Sequence, residues 1–197
     1  MLIRHASADT DGRLCGSFDV PLSPAGQRQL DALVGRPPRQ GVPDALFTST
    51  LRRAREVAAA LGRAWGVEPQ GAEWAREIHC GDVEGTPLQQ LQRDVPEYWI
   101  RNEAQADETF AWPGGESYTE FRIRILDGLQ ATAAAHGGQR VAIVTHAGVI
   151  SQVLGVIRNR AASQWSADRP DPLTATEFIW SNGEPSTVLT YNDPDWY

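Results

Sequence analysis

Two histidines and two arginines stand at or just beyond the ends of apolar runs in this chain. Arg4 and His5 close "MLI", His146 closes "VAIVT", and Arg53 follows "ALFTS" by a few residues. A buried guanidinium without an anion carries a large desolvation cost, so Arg4 behind a buried run asks for a partner. Guanidinium presents a planar fork of donors that matches phosphate oxygens, and a neutral imidazole is a nucleophile as well as a hydrogen-bonding group. Together these types suit the binding and transfer of a phosphoryl group. Taken singly, each has a plainer use: a core histidine on a backbone carbonyl, or a structural ion pair for Arg4. Zinc on His5 and His146 is a weaker reading, because HxxxH and HExxH spacing is missing and Arg4 would repel a dication.

The surrounding pattern must bring these groups to one place. "MLI" reads as a short strand, and "LSPAGQRQLDALVG" as a helix with Leu30, Leu33 and Val34 on one side, Ser23 as N-cap and Pro24 at its first position. "DALFTS" is a second strand, and "TLRRAREVAAALGRAWG" a helix with Leu51, Ala54, Val57, Ala58 and Leu61 in a stripe, capped by Ser49 or Thr50. The stretch from about Trp74 to Gly115 is irregular, with one short helix around "PLQQLQR". A long amphipathic helix follows through Tyr118, Phe121, Ile125, Leu129 and Ala133. "RVAIVTHAGVISQVLGVI" reads as a buried strand turning into a helix at His146, and "ATEFIW" and "STVLTY" as paired strands around "SNGEP". Strands alternating with helices predict an α/β fold, a three-layer α/β/α sandwich with a mostly parallel central sheet. In such a sheet ligands bind beyond the carboxyl ends of the strands, which is where Arg4, His5, Ser49, Arg53 and His146 emerge.

At 197 residues one core suffices, so a single domain spanning 1–197 is expected, with 81–115 as an excursion over it. A formal charge of −7 argues against a nucleic-acid or anionic-membrane surface, and any anion site should be local. No run of about 18 apolar residues and no leader pattern is evident, so neither a membrane partner nor a signal peptide is expected. Cys15 and Cys80 lack CxxC or metal spacing and read as unpaired thiols, which makes the cytoplasm the expected location. His136 ends an alanine-rich helix and reads as solvated; His79 is open between a surface and a supporting role. The glycines form neither GxGxxG after a strand nor a GxxxxGK[ST] loop.

Six segments carry a resemblance: "LIRHA", "GRLCGSFDVPLSPAGQRQ", "LFTSTLRRAREVA", "EIHCGDVEG", "WPGGESYTEF" and "VAIVTHAGVI". In content and order they resemble the histidine phosphatase superfamily, also called phosphoglycerate mutase-like, over most of the chain. "FDVPLS" and "THAGVI" are most similar to its small phosphatases, the branch that includes the α-ribazole phosphatases. The resemblance implies His5 as the phosphorylated nucleophile, Arg4 and Arg53 as phosphate-pocket arginines, His146 as the second pocket histidine with a catalytic share, and Glu77 as proton donor. Arg53 takes its place instead of Arg52 because the pattern is Ser, one residue, Leu, one residue, Arg, Ala. Glu77 lies in a loop, away from any expected strand end, and Glu84 in "VEG" matches a common family position that reads as structural.

Two residues depart from the family: Ala6 replaces a usual glycine, and Asp11 stands where an asparagine is common. Neither a metal nor a cofactor is implied. The expected function is that of a histidine acid phosphatase-type phosphomonoesterase, hydrolysing a small phosphorylated metabolite through phosphohistidine. The alternatives are phosphoglycerate mutase-type transfer and, in another class, a non-catalytic phosphate-binding or protein-interaction module. The 81–115 segment would choose the substrate, with Tyr98, Trp99 and Trp112 as an aromatic wall or as core packing.

Overall fold

Leu2 and Ile3 point to opposite faces of a sheet that is covered on both, and each is fully buried, so the first strand is apolar up to Arg4. In the computed structural model, which describes residues 1–34 and 38–197, this strand is β1 (Leu2–Arg4). With β2 (Ala45–Ser49), β3 (Pro69–Ala72) and β4 (Val141–Thr145) it makes four mutually parallel strands. β5 (Ala175–Ser181) runs antiparallel beside β1, β6 (Glu184–Asp193) antiparallel beside β5, and the order across the sheet is β3-β2-β4-β1-β5-β6. The helices are α1 (Pro24–Leu33), α2 (Arg52–Trp65), α3 (Leu88–Asp94), α4 (Pro96–Ala104), α5 (Tyr118–Ala135) and α6 (Ala147–Ile157).

α1 and α2 bury Leu30, Leu33, Val57 and Leu61 against the face that carries Ile3 and Val144. α5 and α6 bury Phe121, Ile125, Val149 and Val153 against the face that carries Leu2 and Ile143. Each large apolar side chain so covered contributes about 1.5–3 kcal/mol. The three-layer sandwich expected from the alternating pattern is the architecture found. The chain leaves β1 through α1 toward β2, and leaves β4 through α6 toward β5 on the other side of the sheet. Adjacent β4 and β1 therefore flank the point where the winding reverses, the crevice in which open α/β sheets bind ligands.

Several local expectations need correction. "PQGA" forms β3, an edge strand; it has no β-branched residue, and its proline sits at the first position, where a missing donor costs the ladder least. The stretch expected to be irregular contains α4, with Pro96 at the helix start, where its fixed φ favours the helix. α2 is not capped by Ser49 or Thr50: its N-cap is Leu51, which makes no side-chain cap bond. The first helix was expected to reach Gly35, which lies outside the described residues; α1 ends at Leu33, and Val34 is exposed. The buried stripe of α5 ends on Thr132, with Ala133 only partly buried.

Other features match the pattern. Ser23 caps α1, and Ser117 with Glu120 closes a capping box on α5. Asn182 and Gly183 both have positive φ, as a tight turn between β5 and β6 demands. Cys15 and Cys80 are free thiols. Between Gly81 and Gly115, Leu91, Phe110 and Trp112 build a small core of their own with Cys80 and Tyr118, too irregularly spaced to show as a periodic pattern. No helix among the described residues is long and apolar enough to cross a membrane.

Candidate active site

Arg4 is in register with Thr145, and the His5 amide donates to the Thr145 carbonyl at 2.9 Å. His5 and His146 thus step off neighbouring parallel strands one residue past the last pair, and their rings meet edge to face with centroids 5.0 Å apart. His5 Nδ1 lies 2.6 Å from the Ala6 carbonyl. A carbonyl only accepts, so Nδ1 carries the proton and Nε2 keeps a lone pair. Arg53, one residue into α2, donates from Nε toward that Nε2 at 3.3 Å. Its terminal nitrogens donate to the carbonyls of Phe18 (2.9 Å) and Gly16 (2.7 Å), and it is 2% exposed with no carboxylate partner among the described residues.

Arg4 donates from one terminal nitrogen to the Pro170 carbonyl at 2.5 Å, while its buried Nε has no protein acceptor. His146 is fully buried, its Nε2 is 2.7 Å from the Ser49 hydroxyl, and its Nδ1 is likewise without a partner. Buried polar atoms are ordinarily paired, so two orphans beside an unpaired guanidinium describe a site suited to an anion. Ser49 was expected to cap α2; its hydroxyl instead holds His146 and accepts from the Leu51 amide at 3.3 Å, one residue before the helix.

Electrostatics keep both imidazoles neutral. Burial, then Arg53 and Arg4, push His5 down to about 3 against the opposing pull of the Ala6 carbonyl. Burial, then Arg53, His5 and Arg4, hold His146 well below the ordinary histidine value. Arg52 is outside this group, exposed and paired with Glu56 at 2.6 Å.

Glu77 lies in a loop, as expected: β3 stops at Ala72, a short 3-10 turn covers Glu73–Ala75, and Glu77 comes two residues later. Its carboxylate accepts from the Gly148 amide at 3.0 Å, in the first turn of α6, and from the Ile78 amide at 3.1 Å. The five residues assigned by resemblance thus all lie at or beyond the carboxyl ends of parallel strands, Arg53 by way of α2 and Glu77 by way of a loop. Glu84 is spent on structure: its oxygens accept from the amides of Ser17 (2.7 Å), Cys80 (2.8 Å) and Phe18 (2.9 Å). His79 supports the same lacing, with Nδ1 2.8 Å from the Ser17 hydroxyl and its side chain 54% exposed. His136 is half-buried, with its ring against Phe47, instead of solvated.

The two departures do little here. Ala6 does not have a positive φ, so no glycine is required, and the contact it offers His5 is a backbone carbonyl. Asp11 occupies a left-handed turn position that aspartate tolerates, and its carboxylate is 83% exposed, near Arg13.

Three residues were missed in the sequence. Gly148 lies so close to Glu77 that an added Cβ would sit 2.1 Å from its carboxylate. Arg124 on α5 donates to the carbonyls of Trp74 (2.6 Å), Arg76 (3.1 Å) and Glu77 (3.4 Å), and grips Glu116 through two nitrogens. Glu116 in turn accepts from the His79 amide at 2.8 Å. Only "GGES" and the arginines of "FRIRIL" beside a buried stripe hinted at this clamp. Among the described residues no three His, Cys, Asp or Glu side chains come together as metal ligands.

A doubly wound α/β sandwich with two neutral histidines and two guanidiniums at its reversal point is a class of protein, and comparison defines it further. The chain belongs to the histidine phosphatase superfamily (branch 1), whose family model matches residues 1–194. It is 27% identical over 156 residues to the metal-independent phosphoserine phosphatase of Arabidopsis thaliana, covering 78% of this chain and 66% of that relative, so it spans just under two thirds of the relative's length. It is 29% identical over 180 residues to the glucosyl-3-phosphoglycerate phosphatase of Mycobacterium tuberculosis, covering 85% of this chain and 78% of that protein. Among solved structures, Bacillus stearothermophilus YhfR superposes with a TM-score of 0.86 at 26% identity, over 98% of this chain and 95% of that one. The α-ribazole phosphatase of Shigella flexneri, at 20% identity, shares the fold with a TM-score of 0.83 over 98% of this chain and 95% of that one.

Proposed function

We propose that the protein hydrolyses phosphomonoesters of small metabolites through a phosphohistidine at His5. The observation that carries this reading is the tautomer: the Ala6 carbonyl holds the Nδ1 proton, leaving the His5 Nε2 lone pair beside Arg53. Phosphate oxygens would be held by Arg4, Arg53 and His146, so that charge spread over the transferring group meets fixed donors. His5 Nε2 attacks phosphorus in line, a nitrogen–phosphorus bond forms, and the bond to the alcohol oxygen breaks. Glu77, protonated at that moment, gives its proton to the departing alkoxide. In the second half Glu77 removes a proton from water, whose oxygen attacks phosphorus as the nitrogen–phosphorus bond breaks, so that inorganic phosphate leaves and His5 returns to the neutral state. The 81–115 segment serves as the cap that selects the alcohol. The positive field comes from side chains, so no metal enters either step, in keeping with the name of the Arabidopsis relative.

The experiment is a turnover assay of purified protein on a panel of alkyl phosphates in the presence of a strong chelator. Phosphate release that persists under chelation, and that falls by at least about 10³-fold in His5→Ala, is the expected result. An isomerised monophosphate in place of free phosphate would make the protein a mutase. Neither product would make it a binding module, and loss of activity restored by zinc or manganese would reassign the two histidines as ligands.

A further inference from the structure

Resting on the phosphatase reading, we propose that the cavity beside Glu77 receives a flat aromatic group, so that preferred substrates are phosphomonoesters of alcohols that carry an aromatic ring. The cavity encloses about 520 Å³. It shares Gly16, Glu77, Ala147 and Gly148 with the surroundings of the histidine pair. The leaving oxygen must sit beside its proton donor, so the rest of the alcohol extends from Glu77 into this space.

Two observations specify the occupant. Size is the first: pockets of about 300–1,000 Å³ bury ring-containing ligands of drug size, far more than a three-carbon acid needs. The second is the wall. Trp99, Phe110, Trp112, Tyr118 and Trp165 all line the cavity; Phe110 packs on Trp112 and Tyr118, Arg169 lies over Trp165, and half-buried Trp99 at the edge of the small core enters none of these ring contacts. Ring faces gain most from another ring in offset or edge-to-face contact.

Of the charged lining residues, Glu77 and Glu116 are half-buried and Arg13, Glu103 and Arg169 are exposed. Arg13 donates to the Gly85 carbonyl at 3.0 Å and lies near Asp11, Arg169 lies over the Trp165 ring, and Glu116 is held by Arg124. A second carboxylate on the substrate, as in phosphoserine, would meet only the exposed Arg13 and Arg169, where solvent screening makes an ion pair weak.

The test compares kcat/KM for 2-phenylethyl phosphate, ethyl phosphate and O-phosphoserine, three primary alkyl esters, so that the leaving group is held nearly constant. 2-Phenylethyl phosphate should exceed both of the others by at least about 30-fold, within the range hydrophobic pockets achieve. Trp99→Leu and Trp99→Ala should narrow that ratio in the order of the aromatic surface they remove. Equal efficiency on all three esters, or a preference for phosphoserine, would overturn the aromatic assignment while leaving the phosphatase reading intact. Absence of phosphate release from all three would overturn the phosphatase reading itself, and the substrate class with it.

Discussion

Gly148 leaves room for a hydrogen and nothing larger, because a methyl group there would press into the Glu77 carboxylate. Gly148→Ala should therefore push Glu77 out of line and reduce kcat on an alkyl phosphate by at least about 10-fold, the lower part of the range for general acid–base catalysis being about 10². Steady-state kinetics beside a thermal melt checks this; parent-like kcat would mean that the position of Glu77 is not critical. The role of Glu77 itself is tested by its leaving group. Glu77→Gln should slow the burst of alcohol release from an alkyl phosphate by about 10²-fold and that of nitrophenolate much less, since nitrophenolate hardly needs a proton. Equal slowing of both bursts would remove Glu77 as proton donor. Glu84 is no substitute, with its oxygens committed to three backbone amides. Arg4, His5, Arg53 and His146 were legible because each stands at or near the end of an apolar run, where strand ends meet in a parallel sheet. Glu77 was readable only by resemblance, since the strand that delivers it is the unpromising "PQGA".

At the scale of elements, α5 holds the segment that carries Glu77. A Cβ on Gly128 would fall 2.1 Å from the Trp74 ring, so that glycine lets the segment dock closely, and Arg124 then ties down three of its carbonyls. Arg124→Met should cost about 1–3 kcal/mol of stability, the value of hydrogen bonds to a charged group in a partly exposed setting. It should also slow hydrolysis of alkyl esters more than that of nitrophenyl phosphate, with partial rescue by Arg124→Lys. Equal losses on both esters would make the clamp purely structural. The long helices and buried strands were legible from their periodicity, and the interior of α2 emerged as its stripe suggested. What escaped was set by tertiary context: Pro96 begins α4 instead of breaking it, and Ser49 serves His146 instead of capping α2.

For the whole molecule, burying two neutral imidazoles under two guanidiniums links stability to pH. Both histidines bind protons less readily when folded, so the unfolded chain takes up protons first as pH falls below about 6.5. Their contribution is fully present above that value and is lost on acidification, for His5 down to about 3, at up to about 1.4 kcal/mol per pH unit for each group. Urea midpoints should thus fall between pH 7 and pH 5, and less steeply in His5→Asn; equal slopes would contradict the buried neutral His5. The architecture was the most legible level, because alternating strands and helices predict a layered parallel sheet with its site at the carboxyl ends of the strands, although the order of the strands was not readable. The central claim is that phosphorus is attacked twice, first by His5 and then by water. Each in-line attack inverts the phosphorus centre, so hydrolysis of a phosphorothioate monoester made chiral with two oxygen isotopes, in water that carries the third, should yield thiophosphate with retained configuration. Inverted thiophosphate would mean a single direct attack by water and would contradict the phosphohistidine at His5.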